Sequence, residues 1–370
     1  MLPLANDAFT TLAPYVPGKP VSETERELGI SGCIKLASNE NPLGPSPKAI
    51  AAMKRALAGV SDYPDGGAFY LKERLREHLS TRSRSLGVDQ IIVGNGTNEI
   101  IEMIVRTFVR TGENIIYLDP SFIVYKLCAH AAGHAVVDVA MPNFCFDLDA
   151  ALKAVDAHTK LVFIANPNNP TGTYVSRTDL EGFLARLPQQ VLVGLDEAYA
   201  EYVTAPDYPN GLDYIDRRER LIVLRTFSKC YGLAGVRVGY AVAQPRLIDC
   251  LNRGRQPFNV NSLGQVAALA ALDDVDFVAK ARATNASERE TLTQQFRRRH
   301  IGVVESQANF LLVDFQRSAA EVFTALLQRG VIVRPMTGYG LPTSARITVG
   351  TPEQNIRLLA EVDHVINSVA

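Results

Sequence analysis

The chain predicts an α/β protein: a mostly parallel sheet flanked by helices, joined to a smaller C-terminal α+β unit. Three observations carry this. Short apolar runs alternate with helical stretches through the middle of the chain. The final third changes to one long helix followed by a few strands and two further helices. The 370 residues exceed one comfortable core at roughly 100–200 residues per domain.

In chain order, residues 1–46 hold six of the twenty prolines and read as an irregular arm. Pro47 suits the first turn of a helix running through KAIAAMKRAL. YPDGG (63–67) is a turn cluster and LKERLREHLSTR an amphipathic helix. Then come the alternating elements. The runs IIVG, NIIYLD, HAVVDVAM, LVFIANP, VLVGLDEA, LIVLRTFS and VGYAVA read as strands. TNEIIEMIVRTFV, IVYKLCAHA and LEGFLARL read as helices. DFVAKARATNASERETLTQQFRRRH is helical, and its terminal arginines complement the helix dipole. NFLLVDF, VIVRPM and ARITVG are strands, with helices in AAEVFTALLQRG and PEQNIRLLAEVDHVINSV. This gives an arm over 1–46, a large domain over 47–262 and a small domain over 263–370.

Composition excludes several functions. The 38 basic and 39 acidic residues leave a net charge of −1, which argues against nucleic acid held by bulk electrostatics. No apolar run reaches the roughly 18 residues of a membrane span. MLPLANDAFT has no secretory pattern, and five scattered cysteines without a C-x-x-C pair suit reduced thiols in a cytoplasmic protein. His130 and His134 share a helix face, but HAAGH lacks the glutamate of a zinc motif, so no metal is expected.

Four segments carry chemistry. In TFSKCYGLAGVRVG (226–239), Lys229 follows a strand, with Ser228 before it and Arg237 eight residues on. Gly232, Gly235 and Gly239 permit close backbone approach. That suits a lysine amine attacking a carbonyl beside an anion held by serine and arginine. In VLVGLDEAY, Asp196 ends an apolar strand, where ligands sit in open α/β sheets. It either pairs with a protonated ring nitrogen, with Tyr199 reaching the ring hydroxyl, or caps a turn. NPNNPTG (166–172) forms a rigid loop able to aim the Asn169 amide. GNGTNE (94–99) leaves backbone N–H groups of Gly96, Thr97 and Asn98 free at a helix start for a phosphate. Phe122 is placed either to stack on a flat ring or to fill the core. Arg334 and Arg346, on consecutive strands, can hold a carboxylate or phosphate in fork geometry or lie solvated.

In this order and spacing, GNGTNE, NPNNPTG, DEAY, SKCYGLAGVR and RITVG resemble the class II members of the fold-type I aminotransferases, which use pyridoxal 5′-phosphate (PLP). The resemblance covers nearly the whole chain. PYVPGKP, IKLASNENPLGPSPKA, YPDG, RPMTGYGLP and RITVGTPEQN are similar to the branch acting on histidinol phosphate. The resemblance implies a large PLP-binding domain and transamination between L-histidinol phosphate and 2-oxoglutarate, giving imidazole-acetol phosphate and glutamate in histidine biosynthesis. Lys229 would hold the cofactor and shuttle a proton. Asp196 would pair with its ring nitrogen, and Asn169 and Tyr199 with its ring oxygen. Ser228, Arg237, Gly96, Thr97 and Asn98 would hold its phosphate, with Tyr63 reaching in from the other subunit of a homodimer. Phe122 stands where many relatives place a tyrosine; stacking survives and a hydroxyl contact is lost. Arg346, aided by Arg334 and Tyr15, would bind the substrate anion, with the arm carrying Tyr15 and Asn39 folding over the site. The rival readings are an aromatic aminotransferase of the same fold, a phospho-amino-acid decarboxylase, and a PLP-sensing regulator. The regulator needs a DNA-binding extension, for which the proline-rich first 45 or so residues are too short and irregular.

Overall fold

The computed structural model describes residues 7–10, 12 and 18–368. From residue 18 on, the N-terminal segment holds regular structure that the arm's prolines did not suggest. Residues 21–41 contain no proline, and there the helix Val21–Leu28 forms, ending on Gly29 at φ +66°. The strand β1 (Ile34–Lys35) follows, and Leu36 is buried in the core of the C-terminal unit.

The central sheet is built from β2 (Ile91–Gly94), β3 (Asn114–Asp119), β4 (Ala135–Ala140), β5 (Thr159–Ala165), β6 (Leu192–Asp196), β7 (Leu221–Thr226) and β8 (Gly239–Ala243). Its order is β2-β8-β7-β6-β5-β3-β4. Six strands run one way. Only β8 is reversed, antiparallel to both β7 and β2. Alternate residues of each strand feed opposite faces. Val162, Ile164, Val193 and Leu195 pack under helices Pro47–Ala56, Phe69–Leu79, Arg177–Arg186 and Ser262–Leu272. Leu161, Phe163, Leu192 and Ile222 pack under Thr97–Phe108, Val124–Ala131 and Pro245–Gly254. Both faces are covered, so these strands read as continuous apolar runs. Helix Ser262–Leu272 runs across residue 263, where the sequence led us to expect the small domain to begin. Its Ala267, Ala268 and Ala271 instead pack in the large sheet's core.

Helix Val275–Arg298 leads into an antiparallel sheet. Its strands are β9 (Gly302–Val303), β10 (Phe310–Asp314), β12 (Arg334–Pro335) and β13 (Ser344–Thr348), in the order β12-β13-β10-β9. The run VIVRPM, expected as one strand, is divided at Val333. Its first half, β11 (Val331–Ile332), pairs parallel with β1. Its second half, β12, pairs with β13, placing Arg334 directly opposite Arg346. The core here holds Leu292, Phe296, Leu311, Val313, Ile347 and Leu358, and helices Ala319–Gln328 and Pro352–Ser368 complete the unit. Among the described residues no helix is long and apolar enough to cross a membrane.

Candidate active site

The C-terminal ends of β5, β6 and β7 open into a cavity of about 260 Å³. Lys229 lies three residues past β7, half-buried among cavity-lining groups. Its Nζ donates to the Ser38 carbonyl at 3.3 Å and stands 5.6 Å from the Tyr199 ring centroid. Desolvation pushes the amine down to about 7. Arg346 and Arg237 push the same way, while Glu40 and Asp196 oppose them. A lysine here is a neutral base near physiological pH, which a solvated lysine is not.

Asp196 is the last residue of β6. Its Oδ1 accepts from the Ala198 amide at 3.1 Å and its Oδ2 from the Tyr125 hydroxyl at 2.8 Å. Burial raises the carboxyl to about 6 against the pull of these hydrogen bonds. A positive ring nitrogen placed against it would favour the ionised form. Tyr125 was not singled out in the sequence. It sits inside a helix, its ring stacked on Phe163 at 4.5 Å, and nothing in its local spacing marks it as polar machinery. Burial and Asp196 hold its hydroxyl well above the usual range.

The loop 166–172 is fixed from inside. Asn168 Nδ2 donates to the Pro120 carbonyl at 2.8 Å and its Oδ1 accepts from Ser121 Oγ at 2.7 Å. Asn169 lines the cavity, and its Oδ1 accepts from Arg346 Nη1 at 2.6 Å. Arg346 Nη2 donates to the Ala37 carbonyl at 2.8 Å, and its guanidinium carbon stands 5.5 Å from the Phe310 ring centroid. Tyr199 is buried and its hydroxyl accepts from Asn39 Nδ2 at 3.0 Å. Burial moves that hydroxyl up to about 12.

At the far end Thr97, Asn98, Ser228 and Arg237 line the same cavity. Gly96 precedes helix Thr97–Phe108 at φ +76°, and a Cβ there would come within 2.4 Å of Arg237 Nη2. The helix start has no side-chain cap, which leaves its backbone donors to a ligand. Arg237 Nη1 donates to Ser228 Oγ at 3.4 Å and to the Ala234 carbonyl at 3.0 Å. A Cβ on Gly239 would meet the Thr97 amide at 2.7 Å, so the backbones do approach closely there. Gly235 meets nothing within 4 Å, so close approach does not explain that glycine.

Arg334 and Arg346 line the cavity from opposed positions of β12 and β13. Like charges facing across a strand pair are unfavourable unless an anion lies between them. Phe122 lines the cavity and also packs edge-on against Tyr125 at 5.6 Å. Tyr63 is 83% exposed and stacks on Phe258 at 4.8 Å, away from this cavity. Tyr15 lies outside the described residues. Glu40 and Tyr339, not singled out in the sequence, also line the cavity. Among the described residues no group of three His, Cys, Asp or Glu could hold a metal.

The family profile for aminotransferase class I and II matches residues 31–362. The chain belongs to the class I and II aminotransferases. This family depends on PLP, and the site fits that group. It has a depressed lysine, a buried carboxylate, and a glycine-opened helix start beside Arg237. The aminotransferase is 49% identical to the histidinol-phosphate aminotransferase of Moorella thermoacetica over 365 residues, covering 98% of this chain and 93% of that one. It is 47% identical to histidinol-phosphate aminotransferase 2 of Pseudomonas aeruginosa, covering 99% and 98%. The crystal structure of the Sinorhizobium meliloti histidinol-phosphate aminotransferase in complex with pyridoxal-5′-phosphate superposes with a TM-score of 0.89 at 28% identity, covering 99% and 98%.

Proposed function

We propose that this aminotransferase moves the amino group of L-histidinol phosphate to 2-oxoglutarate, giving imidazole-acetol phosphate and glutamate in histidine biosynthesis. The observation that carries the reading is the pair Arg334 and Arg346, opposed in register on the wall of the cavity that holds Lys229. One guanidinium pair can bind either the phosphate of one substrate or the carboxylate of the other, because both are anions accepting from the same fork. The names and full-length similarity of the relatives support the same substrate.

PLP supplies the electron sink that acidifies the substrate's Cα–H and carries the amino group between the two substrates. Lys229 Nζ, neutral above about pH 7, takes and returns the Cα proton. Asp196, held by Tyr125 and the Ala198 amide, would pair with the ring nitrogen. Asn169 and Tyr199 would hydrogen-bond the ring oxygen, and Phe122 would stack on the ring. Ser228, Arg237 and the backbone at Gly96, Thr97 and Asn98 hold the phosphate. Asn39 positions Tyr199. The working unit is a cytoplasmic homodimer, with the exposed Tyr63 of each subunit reaching the cofactor phosphate of the other.

Steady-state kcat/KM with 2-oxoglutarate as acceptor tests this. L-Histidinol phosphate should exceed L-phenylalanine and L-tyrosine as donor. A larger value for phenylalanine assigns the protein to aromatic amino acids instead.

A further inference from the structure

The cavity wall carries four cationic side chains, Lys229, Arg237, Arg334 and Arg346, and two carboxylates, Asp196 and Glu40. Both oxygens of Asp196 are already engaged. Glu40 differs. Its Oε1 accepts from Lys35 Nζ at 2.8 Å, and among the described residues nothing donates to Oε2. Its electrostatic pull on the Lys229 amine is the largest of any carboxylate, ahead of Asp196.

The backbone carrying Glu40 is clamped on both sides. The Leu36 amide donates to the Ile332 carbonyl and the Thr348 amide to the Leu36 carbonyl, both at 2.8 Å. The Asn39 amide donates to Thr348 Oγ1 at 2.9 Å, and the Asn39 carbonyl accepts from Asn309 Nδ2 at 3.0 Å. The carboxylate is therefore offered to the cavity from a fixed backbone, steadied by Lys35. The arginines suit the phosphate, but nothing assigned above recognises the rest of the donor. A half-satisfied carboxylate is the complement of an N–H donor, which an imidazole has and a phenyl ring lacks.

We propose that Glu40 is a specificity-determining residue whose Oε2 accepts the imidazole N–H of the amino donor, with Lys35 as its positioning residue. This rests on the function proposed above. Sites built to hydrogen-bond a substrate N–H reject analogues without it, because the acceptor is then left unpaired.

The test compares Glu40→Gln with the parent holoenzyme, using L-histidinol phosphate and its phenyl analogue, L-phenylalaninol phosphate. The ratio of their kcat/KM values should fall by roughly 10- to 100-fold. The Kd of L-histidinol phosphate for the cofactor-free protein, read by calorimetry, should weaken in the same direction. Lys35→Met should lower the ratio less. The Glu40 side chain is 45% exposed, so these variants should fold. A ratio within twofold of the parent's, whether both values fall or neither does, overturns the inference and leaves the transaminase reading standing. If the parent does not use L-histidinol phosphate, both fall together.

Discussion

Lys229→Met should stabilise the cofactor-free protein while abolishing its activity. The lysine amine is desolvated in the cavity wall and pushed from 10.5 down to about 7. The unfolded chain therefore binds more protons than the native state between those values, and this group's contribution to stability rises with pH. Below pH 7 the native state holds a desolvated cation at its full cost. At 1.36 kcal/mol per pH unit, the cost is on the order of 5 kcal/mol at pH 6 and about 2 kcal/mol at pH 9. Methionine keeps the stem and removes the charge, losing one 3.3 Å hydrogen bond to the Ser38 carbonyl, worth about 1 kcal/mol. Urea unfolding of both cofactor-free proteins at pH 6 and pH 9 reads the difference, and titrating groups not coupled to Lys229 cancel in it. The variant should be more stable at pH 6 by a few kcal/mol, with the gap narrowing by pH 9. Equal stability at pH 6, or a gap that widens with pH, would refute the idea that burial prepares this lysine as a base.

Gly96→Ala places a Cβ within 2.4 Å of Arg237 Nη2 at φ +76°, and should weaken PLP affinity by roughly tenfold or more, read by equilibrium titration. Tyr125→Phe removes the donor on Asp196 Oδ2. Losing a hydrogen bond to a charged group, about 1.5–3 kcal/mol, should move the carboxyl further above about 6, by about 1–2 pH units. The pH at which PLP affinity rises should shift upward to match; an unchanged midpoint counts against the Tyr125 role. Glu197→Gln strips the buried partner of Arg225, which it holds at 3.0 and 2.7 Å. It should cost about 3–5 kcal/mol in unfolding free energy, and a loss below 1 kcal/mol would show the pair to be dispensable.

The architecture was legible because the central strands other than the edge strand β4 are buried on both faces and therefore mostly apolar, between helices of clear period. Direction was not legible. VGYAVA is as apolar as its neighbours, and only the pairing of β8 with β2 and β7 reveals its reversal. The division of VIVRPM was hidden because the run reads as one continuous strand-like sequence, and the switch between sheets is a tertiary choice. Site residues at the ends of strands could be read from motif and position. Tyr125 and Glu40 could not, because each reaches the cavity through long-range folding. Tyr125 touches a carboxylate 71 residues away, and Glu40 reaches it on a segment paired with β11. The facing of Arg334 and Arg346 was suggested by consecutive strands, but the register that opposes them came only from the structure.

The central claim is amino transfer from L-histidinol phosphate through a cofactor dependent on Lys229. A single-turnover measurement tests it most directly: PLP-loaded enzyme mixed with L-histidinol phosphate in the absence of acceptor, with ketone product quantified per active site. The account predicts about one equivalent of imidazole-acetol phosphate, glutamate only after 2-oxoglutarate is added, and neither product from Lys229→Ala. Absence of ketone from the parent enzyme, or equal product from the variant, would contradict it.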